Sequence, residues 1–147
     1  MEYQQYDITS TRLIIPRIQA LLSAFRTHSF PIYHTREGHR PDLSTLSSRE
    51  LHRSRLNPSG LGIGDPGPMG RLLVRGEKGH DIIDELTPLP GENVIDKPGR
   101  STFQHTDFGL LLSIKEEGGI FGAVTTSDKI LAVLDARVNE KTNGAPV

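Results

Sequence analysis

Lys97 ends a short apolar run and stands directly before a turn, in the stretch VIDKPGRSTFQHTD from Val94 to Asp107. A lysine so placed can project into a cleft beside a sheet, where a desolvated ammonium polarises a carbonyl and stabilises charge developing on its oxygen. A lysine capping a strand end in solvent is the plainer alternative. A second cation, Arg36, lies in YHTREGH from Tyr33 to His39. Its planar fork suits a carbonyl or carboxylate, and a structural salt bridge to Glu37 or Asp42 suits it equally. The 147 residues contain no cysteine, which removes thiolate nucleophiles, thiolate metal ligands and disulfides from the chemistry these residues supply. Histidines stand at positions 28, 34, 39, 52, 80 and 105, none in an HxH or HxxxH pair. His34 and His39 flank Arg36 and Glu37 and are the pair to consider for a substrate or metal at a cleft edge. Surface or hydrogen-bonding roles fit them better, and neither a metal nor another cofactor is expected.

Charge narrows the partners. Lys and Arg number 17 against 18 Asp and Glu, for a net charge of −1, so no global field draws the chain to nucleic acid or an anionic membrane. The loop cations Arg49, His52, Arg53 and Arg55 lack interleaved aromatics on which bases would stack. Apolar runs such as Leu110 to Ile114 fall far short of the ~20 residues of a membrane span. The opening MEYQQYDITS lacks the basic start and apolar core of a secretory signal. A small-molecule partner and a cytoplasmic setting are the expectations, with self-association into a homo-oligomer left open.

The elements that must position Lys97 and Arg36 follow from apolar periodicity. Leu13, Ile14, Ile18, Leu21, Leu22 and Phe25 recur at helical spacing, which predicts a helix from Thr11 to Phe25 with Ser10 or Thr11 as cap. Pro16 is tolerated near the start, and with it there the start can slip toward Ile15. FPIYH, from Phe30 to His34, reads as a buried strand. A polar excursion from Thr35 to Pro68 follows, with a short helix around Ser47 to Arg53; loops of that length often form lids or binding walls. GIGDPG, from Gly62 to Gly67, formally fits GxGxxG, but Pro66 and Pro68 block a helix there, so it is a turn. RLLVR, Arg71 to Arg75, is a predicted strand, His80 to Leu86 a helical turn, and Asn93 to Lys97 a strand. Asp107 to Glu116 is a predicted helix with Asp107 near its positive end. Ile120 to Val124 reads as a strand and Thr126 to Arg137 as a helix with Ile130, Leu131, Val133 and Leu134 on its apolar face, before a frayed polar tail from Asn139. Alternating strands and helices predict an α/β fold with a mainly parallel sheet. Ligands in such sheets bind at the carboxyl ends of the strands, which would gather Arg36, Lys97 and Thr125 on one edge.

VIDKPGRSTFQHTD and YHTREGH, with GIGDPGPMGRLLVRGE from Gly62 to Glu77, resemble the isochorismatase-like cysteine hydrolases over roughly Tyr6 to Thr126. The resemblance is nearest to the ureidoacrylate and biuret amidohydrolase branch. It implies a Rossmann-like three-layer α/β/α domain over residues 1–147, with 127–147 a divergent C-terminal helix and tail. It also implies an aspartate, lysine and cysteine as catalytic set. Lys97, followed by Pro98, Gly99, Ser101, Phe103 and Thr106 in family-like order, matches the catalytic lysine. Arg36, Phe103 and Thr125 match positions at which substrate would bind. The family's aspartate strand, of DMQNDF type, has no counterpart before the first helix, and Asp7 does not substitute for it. Gly122 to Asp128, GAVTTSD, resembles GVTTDVCV through Thr126, after which Lys129 stands at the cysteine position. A lysine forms Schiff bases with carbonyls but does not replace a thiolate in acyl transfer.

Two classes of function follow. One is a family hydrolase of carbon–nitrogen bonds in linear ureido, carbamoyl or biuret-type amides, impaired in this chain. The other is a non-catalytic relative that binds a small molecule or associates with complete subunits. The sheet is expected to be incomplete at both ends, as in a truncated gene product.

Overall fold

The computed structural model describes residues 4–116 and 126–143. Thr125 and the strand expected from Ile120 to Val124 lie outside the described residues.

The expected first helix is two helices, α1 (Thr9–Leu13) and α2 (Ile15–Thr27). Pro16 occupies the first turn of α2, where it supplies no amide to carry the helix through Ile14. The break turns Leu13 and Ile14 outward, 74% and 53% exposed, so they leave the apolar face on which periodicity placed them. Neither Ser10 nor Thr11 caps the start; the Asp7 carboxylate accepts from the Thr9 amide at 2.9 Å.

Strand β1 (Tyr33–Glu37) begins after Pro31, which has no amide to give a ladder, and it runs three residues beyond the expected strand. Arg36 therefore lies within the strand. Helix α3 (Ser48–Ser54) is the short helix expected in the excursion, opened by the Ser47 hydroxyl accepting from the Glu50 amide at 3.2 Å. Ser47 and Glu50 have the S-x-x-E spacing of a capping box, and Arg53 near the helix end pairs with Glu50. Ser47→Ala is expected to destabilise the fold by about 1 kcal/mol, read as a lower urea midpoint at unchanged slope; an unchanged midpoint would show that the cap is dispensable.

The strand expected at RLLVR shrinks to β3 (Gly70–Arg71), which pairs antiparallel with β2 (Pro66–Gly67). Leu73 has φ of 51°, in the left-handed region, and an extended strand cannot pass through it. The segment instead clamps the loop after β1. The Leu73 carbonyl accepts from the His39 amide at 2.8 Å, and the His39 carbonyl accepts from the Arg75 amide at 2.9 Å. Two 3-10 turns, Lys78–His80 and Asp84–Leu86, replace the single helical turn expected from His80 to Leu86.

Strand β4 (Asn93–Lys97) matches the expected range and lies parallel to β1, with Tyr33 opposite Asn93 and Glu37 opposite Lys97. Strand alternation sends Thr35, Ile95, Glu37 and Lys97 to one face, and His34, Arg36 and Asp96 to the other. Helix α4 (Phe108–Glu116) packs on the first face through Phe108, whose ring meets Tyr33 edge-on at 5.6 Å. The Thr106 hydroxyl accepts from the Phe108 amide at 3.2 Å, and Asp107 stands directly before the first residue of the helix. Helix α5 (Ser127–Asn143) contacts α2 and extends beyond the predicted Arg137, taking in residues expected to fray. An apolar hollow of about 260 Å³ lies where Leu21, Leu22 and Phe25 of α2 face Ile32 and Ile130. On α5, Leu134 is buried whereas Val133 is exposed.

Ile63, Val74, Ile95 and Leu134 form the buried apolar core of the described residues, and His39 and His80 are buried among them. Among these residues no helix is long and apolar enough to cross a membrane.

Candidate functional site

Both strands of the parallel pair end at charged residues, so Arg36, Glu37, Asp96 and Lys97 crowd the carboxyl edge of the sheet. The Lys97 side chain is 12% exposed, and its ammonium lies 3.2 Å from Glu37 Oε2. It also donates to the Gly99 carbonyl at 2.9 Å and, more weakly, to the Arg100 carbonyl at 3.4 Å. The turn KPGR thus curls its own carbonyls around the lysine head, and the Gly38 amide bonds the Lys97 carbonyl at 2.9 Å to extend the ladder past the strand ends. Three donors meet three acceptors. The long contact to Arg100 is the weakest, so an incoming carbonyl would most readily compete for that donor. Glu37 Oε1 has no partner among the described residues, and its side chain is 31% exposed.

Arg36 occupies the opposite face. Its Nε donates to Asp96 Oδ1 and its terminal nitrogen to Asp81 Oδ1, both at 2.8 Å. Burial opposes the guanidinium charge, but the two carboxylates outweigh it and hold its pKa above the ordinary value. The bridge is therefore to Asp96 and Asp81, whereas local sequence pointed to Glu37 or Asp42; the Asp42 carboxylate instead accepts from the Ser44 amide. Asp81 is held below the usual carboxylate range by the Ile82 amide and by Arg36. His80 Nε2 is buried 3.6 Å from Asp96 Oδ1, and burial pushes its pKa down, with the Asp96 charge acting against it.

Lys97 and Arg36 are thus close in register but stand on opposite faces. Phe103 is 63% exposed, its ring 5.0 Å from that of Phe108, on the α4 side of the sheet. His34 is engaged by Glu92 at 2.7 Å, and His39 is enclosed with Nδ1 3.2 Å from Thr45 Oγ1, so neither lines a cleft edge. No set of three or more His, Asp or Glu side chains among the described residues is placed to hold a metal ion. Glu37 is the group local sequence reasoning missed as partner of Lys97. Aligning YHTRE with NVIDK in parallel, end to end, would have paired the two.

Residues 4–118 match the family model for the isochorismatase domain. Ureidoacrylate amidohydrolase RutB of Pantoea ananatis (strain LMG 20103) is 30% identical over 109 residues, covering 73% of this chain and 43% of the relative. RutB of Serratia proteamaculans (strain 568) is 31% identical over 110 residues, covering 73% and 44%. This chain spans less than half the length of the curated relatives it matches. Among solved structures, an isochorismatase family protein from Desulfovibrio vulgaris subsp. vulgaris str. Hildenborough superposes with a TM-score of 0.53 at 28% identity, over 69% of this chain and 47% of that one. A cysteine hydrolase from Pseudomonas syringae pv. phaseolicola 1448A shares the fold with a TM-score of 0.58 at 23% identity, over 74% and 45%. The matched span holds both strands of the parallel pair and the turn around Lys97, and with that α/β arrangement and the shared sequence the chain belongs to the isochorismatase family.

Proposed function

We propose that this chain carries the lysine part of a site for hydrolysing carbon–nitrogen bonds in linear amides of ureido, carbamoyl or biuret type, and that it binds such an amide without completing the reaction. The observation that carries this is Lys97, its side chain largely buried and its ammonium held at the carboxyl edge of the parallel pair. There a carbonyl oxygen can take the donor now spent on the distant Arg100 carbonyl. Beside a largely buried side chain the ammonium stabilises negative charge on that oxygen better than it would in bulk water. Phe103, on the α4 side of the sheet with Lys97, would bound the substrate. The named activity of the RutB relatives, on ureidoacrylate, supports the substrate class. The step these residues do not supply is covalent attack by a thiolate, because none of the 147 is cysteine. The molecule bound is small and the setting cytoplasmic.

Ammonia release and calorimetric binding, measured with biuret and with ureidoacrylate on the wild-type chain and Lys97→Ala, test this. Biuret is expected to bind, to bind at least about tenfold more weakly to the variant, and to yield no ammonia above the protein-free rate. Equal binding by both proteins would overturn the role of Lys97. Ammonia release that disappears in the variant would show turnover without a thiol.

A further inference from the structure

We propose that Glu37 determines specificity in the Lys97 site, so that the site selects a neutral terminal carbamoyl group, a primary amide, over a carboxylate of the same shape. The inference rests on the assignment of Lys97 to amide binding and deepens it. An ammonium alone favours anions: a carboxylate would gain both charge and hydrogen bonds from Lys97. Glu37 changes that preference. Its Oε2 lies 3.2 Å from Lys97 Nζ, and its Oε1 has no partner among the described residues on a side chain that is part-exposed. One donor and one acceptor therefore stand side by side on the same sheet face, fixed there by the register that pairs Glu37 with Lys97.

A carbamoyl edge is the mirror of that arrangement. Its oxygen accepts from the ammonium while its amide nitrogen donates to Oε1, and both ligand atoms are satisfied at once. A carboxylate presented in the same way has only acceptors, so one of its oxygens meets the carboxylate of Glu37 with no proton between them. Discrimination of this kind needs a repulsive element as well as an attractive one. Arg36 cannot offer the same edge, because its fork is filled by Asp96 and Asp81 on the other face.

Biuret and malonate, close in length and shape but ending in carbamoyl and carboxylate groups, are the probes, with binding to the full chain measured by calorimetry. Wild type is expected to prefer biuret. Glu37→Gln, which keeps the shape and removes the charge, is expected to weaken biuret about fivefold and tighten malonate about tenfold, a change in ratio of about fiftyfold. Glu37→Asp, which keeps the charge and withdraws it by one methylene, should fall between and guards against a variant that folds poorly. A biuret-to-malonate ratio that is the same in wild type and E37Q, or a wild type that prefers malonate, would overturn the role of Glu37 while Lys97→Ala still weakened biuret binding. Biuret binding that Lys97→Ala leaves intact, or no biuret binding by wild type, would overturn both assignments.

Discussion

Gly38→Ala is expected to lower the melting temperature by roughly 10 °C, a loss of about 3 kcal/mol at the upper end of what overpacking costs. A Cβ at position 38 would sit 2.5 Å from Nε2 of His80 and closer still to its Cδ2. Neither side can yield cheaply. The Gly38 amide is tied to the Lys97 carbonyl at 2.9 Å, and the Gly38 carbonyl accepts from Arg75 Nε at 2.9 Å. The imidazole has a side chain only 2% exposed and stands between Gly38 and Asp96. Either the ring leaves the core or the end of β1 swings away from β4, and the second course separates Glu37 from Lys97.

The contact can be isolated in a double-mutant cycle. His80→Ala opens space where the new methyl would go, so the pair of substitutions is expected to melt higher than Gly38→Ala alone, with strongly non-additive stabilities. Additive losses would place the strain somewhere other than the Gly38 and His80 contact. Ordinary melting in the single variant, within roughly 2 °C of wild type, would mean that the ring turns aside freely and the packing argument fails.

Legibility differed by element for physical reasons. Asn93–Lys97 was readable to the residue because an apolar run stops at a lysine and a proline. The helix around Ser47 to Arg53 was also expected, and the Ser47 cap that opens it is a local contact the structure adds. The other boundaries depended on events the spacing of apolar residues does not carry. Pro16 divides the first helix, and Leu73 takes a left-handed conformation that ends a run whose composition favours a strand. The same holds at the candidate site. Lys97 announces itself through the motif around it, but its closest charged partner is 60 residues away in sequence and becomes a neighbour only when two strands pair. Arg36 showed the reverse: its sequence neighbours Glu37 and Asp42 were the obvious partners, and strand alternation turned it toward Asp96 and Asp81.

Glu92 is expected to give the fold its acid sensitivity, and Glu92→Gln to cost about 2 kcal/mol at neutral pH. The carboxylate gathers donors from three parts of the chain. Arg26 of α2 reaches it through two nitrogens at 2.7 and 2.9 Å, His34 of β1 through Nε2 at 2.7 Å, and the Leu89 amide at 2.9 Å. It therefore fastens the first long helix to the parallel pair at the end opposite Lys97. Hydrogen bonding from Arg26 is the main reason its pKa falls from 4.5 to about 2; burial opposes the shift, and the Leu89 amide and His34 reinforce it. A carboxylate whose folded pKa is depressed contributes its full stability above the unfolded value and loses it as pH falls toward the folded one. The window is thus pH 4.5 down to about 2. Urea unfolding of wild type and Glu92→Gln should show the largest gap at neutral pH and a gap that closes through this window, because protonation makes the wild-type group as uncharged as the amide. A gap that stays constant down to about pH 2 would show that the shape of the side chain, rather than its charge, joins α2 to the sheet.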